Sequence, residues 1–165
     1  MNKVLLGVGT NVGSREKNIE KTIDLIEADD NIEIYLRSSV YESKAFGVTD
    51  QQNFFNLVLY LYTNYSPLQL YRRIKEIEVQ VGRISRERWG PREIDLDILF
   101  FNNDLIHSEL LTIPHEGCYK RDFVLVPIYE LLEKEKAIQN DFGIRRVNLE
   151  KIKKNILKKI DLKHR

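Results

Sequence analysis

An α+β fold, an antiparallel sheet with helices packed on it and a C-terminal extension, is predicted by two observations. Short apolar or alternating runs recur along the first hundred residues, and two segments with helical spacing interrupt them. Each of those segments also opens on its own start signal, Ser14 in one and Ser66-Pro67 in the other.

Lys3 to Gly9 is a short apolar run ending in glycine and is expected to be the first strand. From Ser14 to Ala28, Ile19, Ile23 and Ile26 share one helical face, with Ser14 as N-cap. Ile32, Ile34 and Leu36 alternate with polar neighbours, so a strand is expected to about Tyr41. Glu42 to Asn53 reads as a polar loop, and the aromatic and aliphatic run Phe54 to Thr63 as a central strand. Ser66-Pro67-Leu68-Gln69 is a capping box with proline at the first helical position. Leu70, Ile74, Ile77 and Val81 form the apolar face of that helix, and Gly82 stops it. Glu93 to Phe101 alternates again, followed by the turn-forming Asn102-Asn103-Asp104. The resulting order, β-α-β-β-α-β, is the split pattern of ferredoxin-like folds. Leu105 to Phe142, with Pro114 and Pro127, reads as irregular. Leu149, Ile152, Ile156 and Ile160 predict a closing amphipathic helix.

The chain has 165 residues, enough for one domain spanning 1–165 with a proper core. Net charge is +1, but Ile144 to Arg165 carries nine Lys/Arg against two Asp/Glu, a net +7. A basic tail can indicate nucleic acid, but lysines on the wet face of an amphipathic helix are the favoured explanation. One cysteine, Cys118, allows no internal disulfide and fits a reducing compartment. No apolar run approaches the ~18 residues of a membrane span. Together these predict a cytoplasmic protein with no membrane or nucleic-acid partner.

Four features carry potential chemistry. Gly7-Val8-Gly9-Thr10-Asn11-Val12-Gly13 follows a strand and opens a helix, but its spacing is not that of a dinucleotide loop, so it reads as a tight strand-to-helix turn. Asp95 and Asp97 project from the same strand face, with Ile94, Leu96 and Ile98 on the other. Two such carboxylates suit Mg²⁺, although taken alone they more often form a solvated face with two ion pairs. Arg83, Arg86, Arg88 and Arg92 crowd the preceding loop, and Lys120 and Arg121 follow His115. Acids for a metal beside arginines for phosphate oxygens point to a Mg-nucleotide site. Phe54 and Asn56 leave one strand on the same face, and with Phe123 they suit a flat heterocycle or a plain core. His115 suits a phosphate contact or a turn cap. Gly82 and Gly90-Pro91 bracket the arginines, which need anions to leave water, so Gly82 to Arg92 is expected to be a mobile lid.

The string Arg88-Trp89-Gly90-Pro91-Arg92-Glu93-Ile94-Asp95-Leu96-Asp97-Ile98-Leu99 closely resembles the 6-hydroxymethyl-7,8-dihydropterin pyrophosphokinases. The likeness runs from Val4 to about Leu132. It takes in Gly9-Thr10-Asn11, Gly47, Gln51, Phe54, Asn56, the stretch Glu78 to Arg83, Leu111 to His115 and Arg121 to Leu125. It implies a ferredoxin-like sandwich that moves pyrophosphate from ATP, as co-substrate, to the hydroxymethyl pterin. By carry-over, Asp95 and Asp97 would hold two Mg²⁺ ions and, with Arg83 and Arg92, carry catalysis. Ser43, Phe46, Phe54, Asn56 and Phe123 would bind the pterin. Glu78, Arg83, Arg86, Trp89, Arg92, Ile98, Thr112, His115 and Arg121 would bind the nucleotide. Phe54, Leu110 and Glu116 depart from residues common in the family.

Overall fold

A computed structural model describes residues 1–45, 50–86 and 90–162. Its strands are β1 (Asn2–Thr10), β2 (Ile32–Arg37), β3 (Val40–Ser43), β4 (Phe54–Thr63), β5 (Asp95–Phe101), β6 (Ile106–His107), β7 (Thr112–Ile113) and β8 (Ile156–Ile160). Its helices are α1 (Arg15–Glu27), α2 (Pro67–Val81), α3 (Asp122–Lys134) and α4 (Ala137–Phe142). The main sheet runs β5-β1-β4-β3-β8, with β2 also paired to β4, all pairings antiparallel. This is the expected ferredoxin-like order with the second strand split and a further strand added.

The split has a local cause. β2 and β3 occupy successive stretches of one edge of β4, separated at Ser38-Ser39. There the Ser38 amide donates to the Val58 carbonyl, and its hydroxyl accepts from the Val58 amide. The side chain replaces a ladder bond, so one expected strand becomes two.

The C-terminal expectation is corrected. Leu149–Lys151 is a short 3-10 turn, and Ile156–Ile160 is a strand on the free side of β3. Residues four apart share a face in a strand as well as in a helix, so Ile156 and Ile160 fit both periods. The open edge of β3 supplies the hydrogen bonds that decide between them. Leu105 to Phe142 is also corrected, because it contains β6, β7, α3 and α4. Pro127 lies inside α3 without breaking it. The helix buries Leu125, Ile128, Leu131 and Leu132, and that packing outweighs one missing hydrogen bond.

Helices cover both faces of the sheet. Val4, Leu6, Val8, Leu57, Leu59, Leu61, Leu96 and Ile98 pack under α1 and α2. Leu5, Val58, Tyr60, Leu99 and Phe100 pack under α3 and α4. Glu130 ties α3 to the Ser38-Ser39 break, accepting from the Ser39 amide at 2.9 Å and the Tyr41 hydroxyl at 2.6 Å.

Both expected helix starts are present. Ser14 caps α1, and Ser66 and Gln69 form the full capping box of α2, which ends at the left-handed Gly82. Ser66→Ala removes one half of that box and should lower stability by about 1 kcal/mol in urea unfolding; an unchanged midpoint would show that packing alone holds α2.

Candidate active site

The face of the sheet toward α3 changes character along its length. At one end Leu99, Leu5 and Tyr60 are apolar and covered. At the other, Asp95 stands opposite Gly9 and Gly9 opposite Asn56, while Asp97 stands opposite Gly7 and Gly7 opposite Val58. Gly7 and Gly9 lie within β1, as the expected strand Lys3 to Gly9 has them, so the turn reading of this glycine run holds only for its end, where Gly13 takes the left-handed conformation. A Cβ on Gly9 would meet Asn56 Oδ1 at 3.5 Å, an ordinary contact, so packing does not demand the glycine. Its missing side chain gives depth to the space above.

That space is a cavity of about 780 Å³, mouth included, whose walls hold Ser43, Phe54, Asn56, Phe123, Arg121 and Arg92. A second cavity, about 760 Å³ on the same measure, lies along Lys75, Ile98, Leu110, Thr112 and Glu116. Asp97 and His115 line both, and Asp95 lines the first.

Asp95 is already partnered. Asp95 accepts from Arg83 through one oxygen and from Arg92 through the other, both at 3.0 Å. Asp97 is pushed up to about 7, first by its enclosure and then by the Asp95 charge beside it. His115 Nδ1 accepts from the Gly117 amide at 3.1 Å, so the neutral ring carries its proton on Nε2, 3.8 Å from Asp97. Burial, and then the Arg121 charge, hold its pKa below the usual value, which favours that neutral form. His115 therefore caps a turn and presents a donor to the seam of the two cavities. The Arg121 guanidinium lies over Gly117, where a Cβ would come within 2.7 Å of it.

Other expected residues lie elsewhere. Glu78 is buried and lines neither cavity. Its carboxylate accepts from the Leu96 amide at 2.7 Å, from Arg83 at 3.0 Å and from Lys75 at 3.2 Å, which locks the end of α2 to β5. Arg83 lines neither cavity, but reaches one through Asp95. Arg86 forms a fork with Glu93, at 2.8 and 2.6 Å. The expectation that these arginines need outside anions thus fails for Arg83, Arg86 and Arg92, which use the protein's own carboxylates. Phe46, Arg88 and Trp89 lie outside the described residues, as does the middle of the expected lid.

Sequence reasoning missed Lys75, whose position one turn from Glu78 on α2 was a usable signal. It also gave Asn11 no role. The Asn11 side chain accepts from the Arg92 amide at 2.7 Å and donates to Gln51 and to the Gln52 carbonyl, joining three segments at the rim. Among the described residues no three His, Cys, Asp or Glu side chains form a closed metal cage, and no helix is long and apolar enough to cross a membrane.

Residues 5–133 match the family model for 7,8-dihydro-6-hydroxymethylpterin-pyrophosphokinase (HPPK). The chain belongs to the HPPK family. An Aquifex aeolicus relative named 2-amino-4-hydroxy-6-hydroxymethyldihydropteridine pyrophosphokinase is 46% identical over 131 residues, 79% of this chain and 81% of that protein. A Bacillus subtilis relative of the same name is 36% identical over 149 residues, 87% of this chain and 89% of its own. Among solved structures, wild-type Plasmodium falciparum HPPK-DHPS aligns with a TM-score of 0.59 at 16% identity, covering 87% of this chain. This chain spans 45% of that longer one, and the likeness is one of fold. Both segments that form the cavity seam, β5 and the stretch through His115, lie inside the HPPK match.

The Arg86 fork holds the Glu93 carboxyl down to about 2, against an ordinary 4.5. A depressed native pKa contributes stability above the unfolded value and loses it as pH falls through the native one. The stability difference between wild type and Arg86→Ala should therefore be constant above about pH 5 and vanish as pH falls toward 2. A carboxyl NMR titration placing wild-type Glu93 near 4.5 would refute this.

Proposed function

We propose that the chain transfers the pyrophosphoryl group of ATP to 6-hydroxymethyl-7,8-dihydropterin, giving the pterin diphosphate and AMP in folate biosynthesis. The observation that carries this reading is the meeting of two cavities at Asp97 and His115, one walled by aromatic rings and a carboxamide. A flat heterocycle and a nucleotide each have a place, and their reacting ends share one seam.

The pterin lies in the first cavity against Phe54 and Phe123, with Ser43 at its edge. Asn56 Nδ2 already donates to Ser43 Oγ at 2.8 Å and to the Tyr41 carbonyl at 3.2 Å. Its Oδ1 is left to accept from a ring N–H. ATP occupies the second cavity, along Lys75, Ile98 and Thr112, with its phosphates at the seam. The substrate hydroxyl attacks the β-phosphorus in line and AMP leaves; the hydroxyl proton passes to solvent. His115 donates from Nε2 to a phosphate oxygen, and Arg121 approaches the same seam from α3. Glu78 acts at one remove, by holding Arg83. Arg86 acts on the nucleotide side only through its fork with Glu93.

Asp95 and Asp97 would hold Mg²⁺, and two ions are expected. Two hard carboxylates without a third protein ligand suit a cation whose remaining sites go to phosphate oxygens and water. When bound, Mg²⁺ neutralises charge on the polyphosphate and lowers the barrier to displacement. With its oxygens given to the ion, Asp95 would release Arg83 and Arg92, whose guanidinium groups suit phosphate oxygens. Positioning by the stacked pterin supplies much of the remaining rate. Residues 1–165 work as one domain, in the cytoplasm, where the buried thiol of Cys118 stays free.

AMP release from ATP should require both the pterin and Mg²⁺; release without the pterin would overturn the reading. Asp95→Ala or Asp97→Ala should each lower turnover by ~10²-fold or more with the fold intact by circular dichroism, and a fully active double variant would remove the aspartates from the mechanism.

Stacking should also be separable from nucleotide binding. Phe123→Ala is expected to weaken pterin binding by about 1–3 kcal/mol, taking base–aromatic stacking as the guide, with far less effect on ATP. Calorimetric titration with each ligand measures both, and equal losses would mean a general loss of structure.

A further inference from the structure

The HPPK match ends at residue 133, yet the chain beyond it touches both walls of the first cavity. Asp122 opens α3 between Arg121 and Phe123, two residues of that cavity, and is itself 7% exposed. Its Oδ2 accepts from the Asn155 amide at 2.8 Å and from the Ile156 amide at 2.9 Å. Oδ1 accepts from no group among the described residues. On the other side, the Asn155 carbonyl accepts from the Lys44 amide at 3.0 Å, and Ile156 pairs with Ser43. Lys44 and Ser43 form the facing wall, where Ser43 Oγ holds Asn56. A continuous hydrogen-bonded path thus runs from the Arg121–Phe123 wall through Asp122 and Asn155 to the Ser43–Asn56 wall.

The path has the properties of a spacer. A carboxylate accepting two backbone N–H groups makes charge-assisted bonds, stronger than neutral ones. Its place in the first turn of α3 adds favourable interaction with the helix dipole. Both donors are backbone groups of one segment, so their separation is set by the chain and not by side-chain rotamers.

We infer that Asp122 and the Asn155–Ile156 backbone form a positioning clamp that sets the distance between Phe123 and the Ser43–Asn56 wall, so the C-terminal strand shapes a pterin site it does not line. This rests on the reading of the first cavity as the pterin site. Asp122 is a positioning residue, acting through its neighbours on either side.

The test uses the full chain, 6-methyl-7,8-dihydropterin as a pterin without the reacting hydroxyl, and α,β-methylene ATP with Mg²⁺. Asp122→Ala should raise the pterin Kd about 10-fold and leave that of the ATP analogue within about twofold. Turnover at saturating hydroxymethyl pterin should stay within about threefold of wild type, the loss appearing in KM. Asp122→Asn keeps an acceptor for both amides and should restore most of the pterin affinity. Amide exchange at Lys44, Asn155 and Ile156 should quicken in Asp122→Ala. Faster exchange there with an unchanged pterin Kd would make the contact merely structural and overturn the clamp. Equal losses for both ligands would do the same. Should Asp122→Ala not fold, Ile156→Pro removes one donor, leaves the carboxylate, and is read by the same pair of Kd values. If the wild-type chain binds ATP but no pterin, the cavity reading fails and the clamp with it, an outcome distinct from faster exchange at full pterin affinity.

Discussion

The site depends on the register of three antiparallel strands. Pairing of β5, β1 and β4 sets Asp95, Gly9 and Asn56 in one row across the sheet, with Asp97, Gly7 and Val58 in the next. A slip of one residue in β1 would turn Val8 into the floor and drive the glycines into the core under α1 and α2. The apolar set Val4, Leu6 and Val8 on the opposite face prevents that slip. Burial of one face thus guarantees the chemistry of the other. Nothing in the site's own polar residues is asked to hold the sheet together.

Around that row, charges are matched before any ligand arrives. Glu78, Arg83, Asp95 and Arg92 form a relay in which each charge touches an opposite one. Such a relay avoids an unpaired charge in a half-buried place, which would be expensive. It also means that binding a polyphosphate rearranges existing pairs. Asp97, raised by its enclosure and by the Asp95 charge beside it, makes no close ion pair of its own among the described residues and is the less compensated of the two aspartates.

Much of this was legible in the residues. The alternation in Glu93 to Phe101 put Asp95 and Asp97 on one face, and the capping box at Ser66 placed α2 to the residue. Local signals of that kind need no partner to be read. What escaped reading depended on partners. Ile156 and Ile160 have a spacing common to helix and strand, and the open edge of β3 settles which forms. Pro127 concealed α3, because the burial that compensates it comes from the distant Leu5 and Tyr60. The arginines could be grouped by eye, but the engagement of Arg83, Arg86 and Arg92 with Glu78, Glu93 and Asp95 is a tertiary fact. Gly7 and Gly9 were expected in the strand, but their part in deepening the site was not, because depth in a sheet face leaves no local mark.

The added strand has one more effect, on how copies of the chain behave toward each other. β8 ends the main sheet on the side opposite β5, and a bare end strand is a template for uncontrolled pairing. Lys158 and Lys159 are exposed on it, and Lys153 and Lys154 just precede it. Two molecules approaching by this edge would bring these ammonium groups together, and their repulsion opposes fibril-like growth along β8.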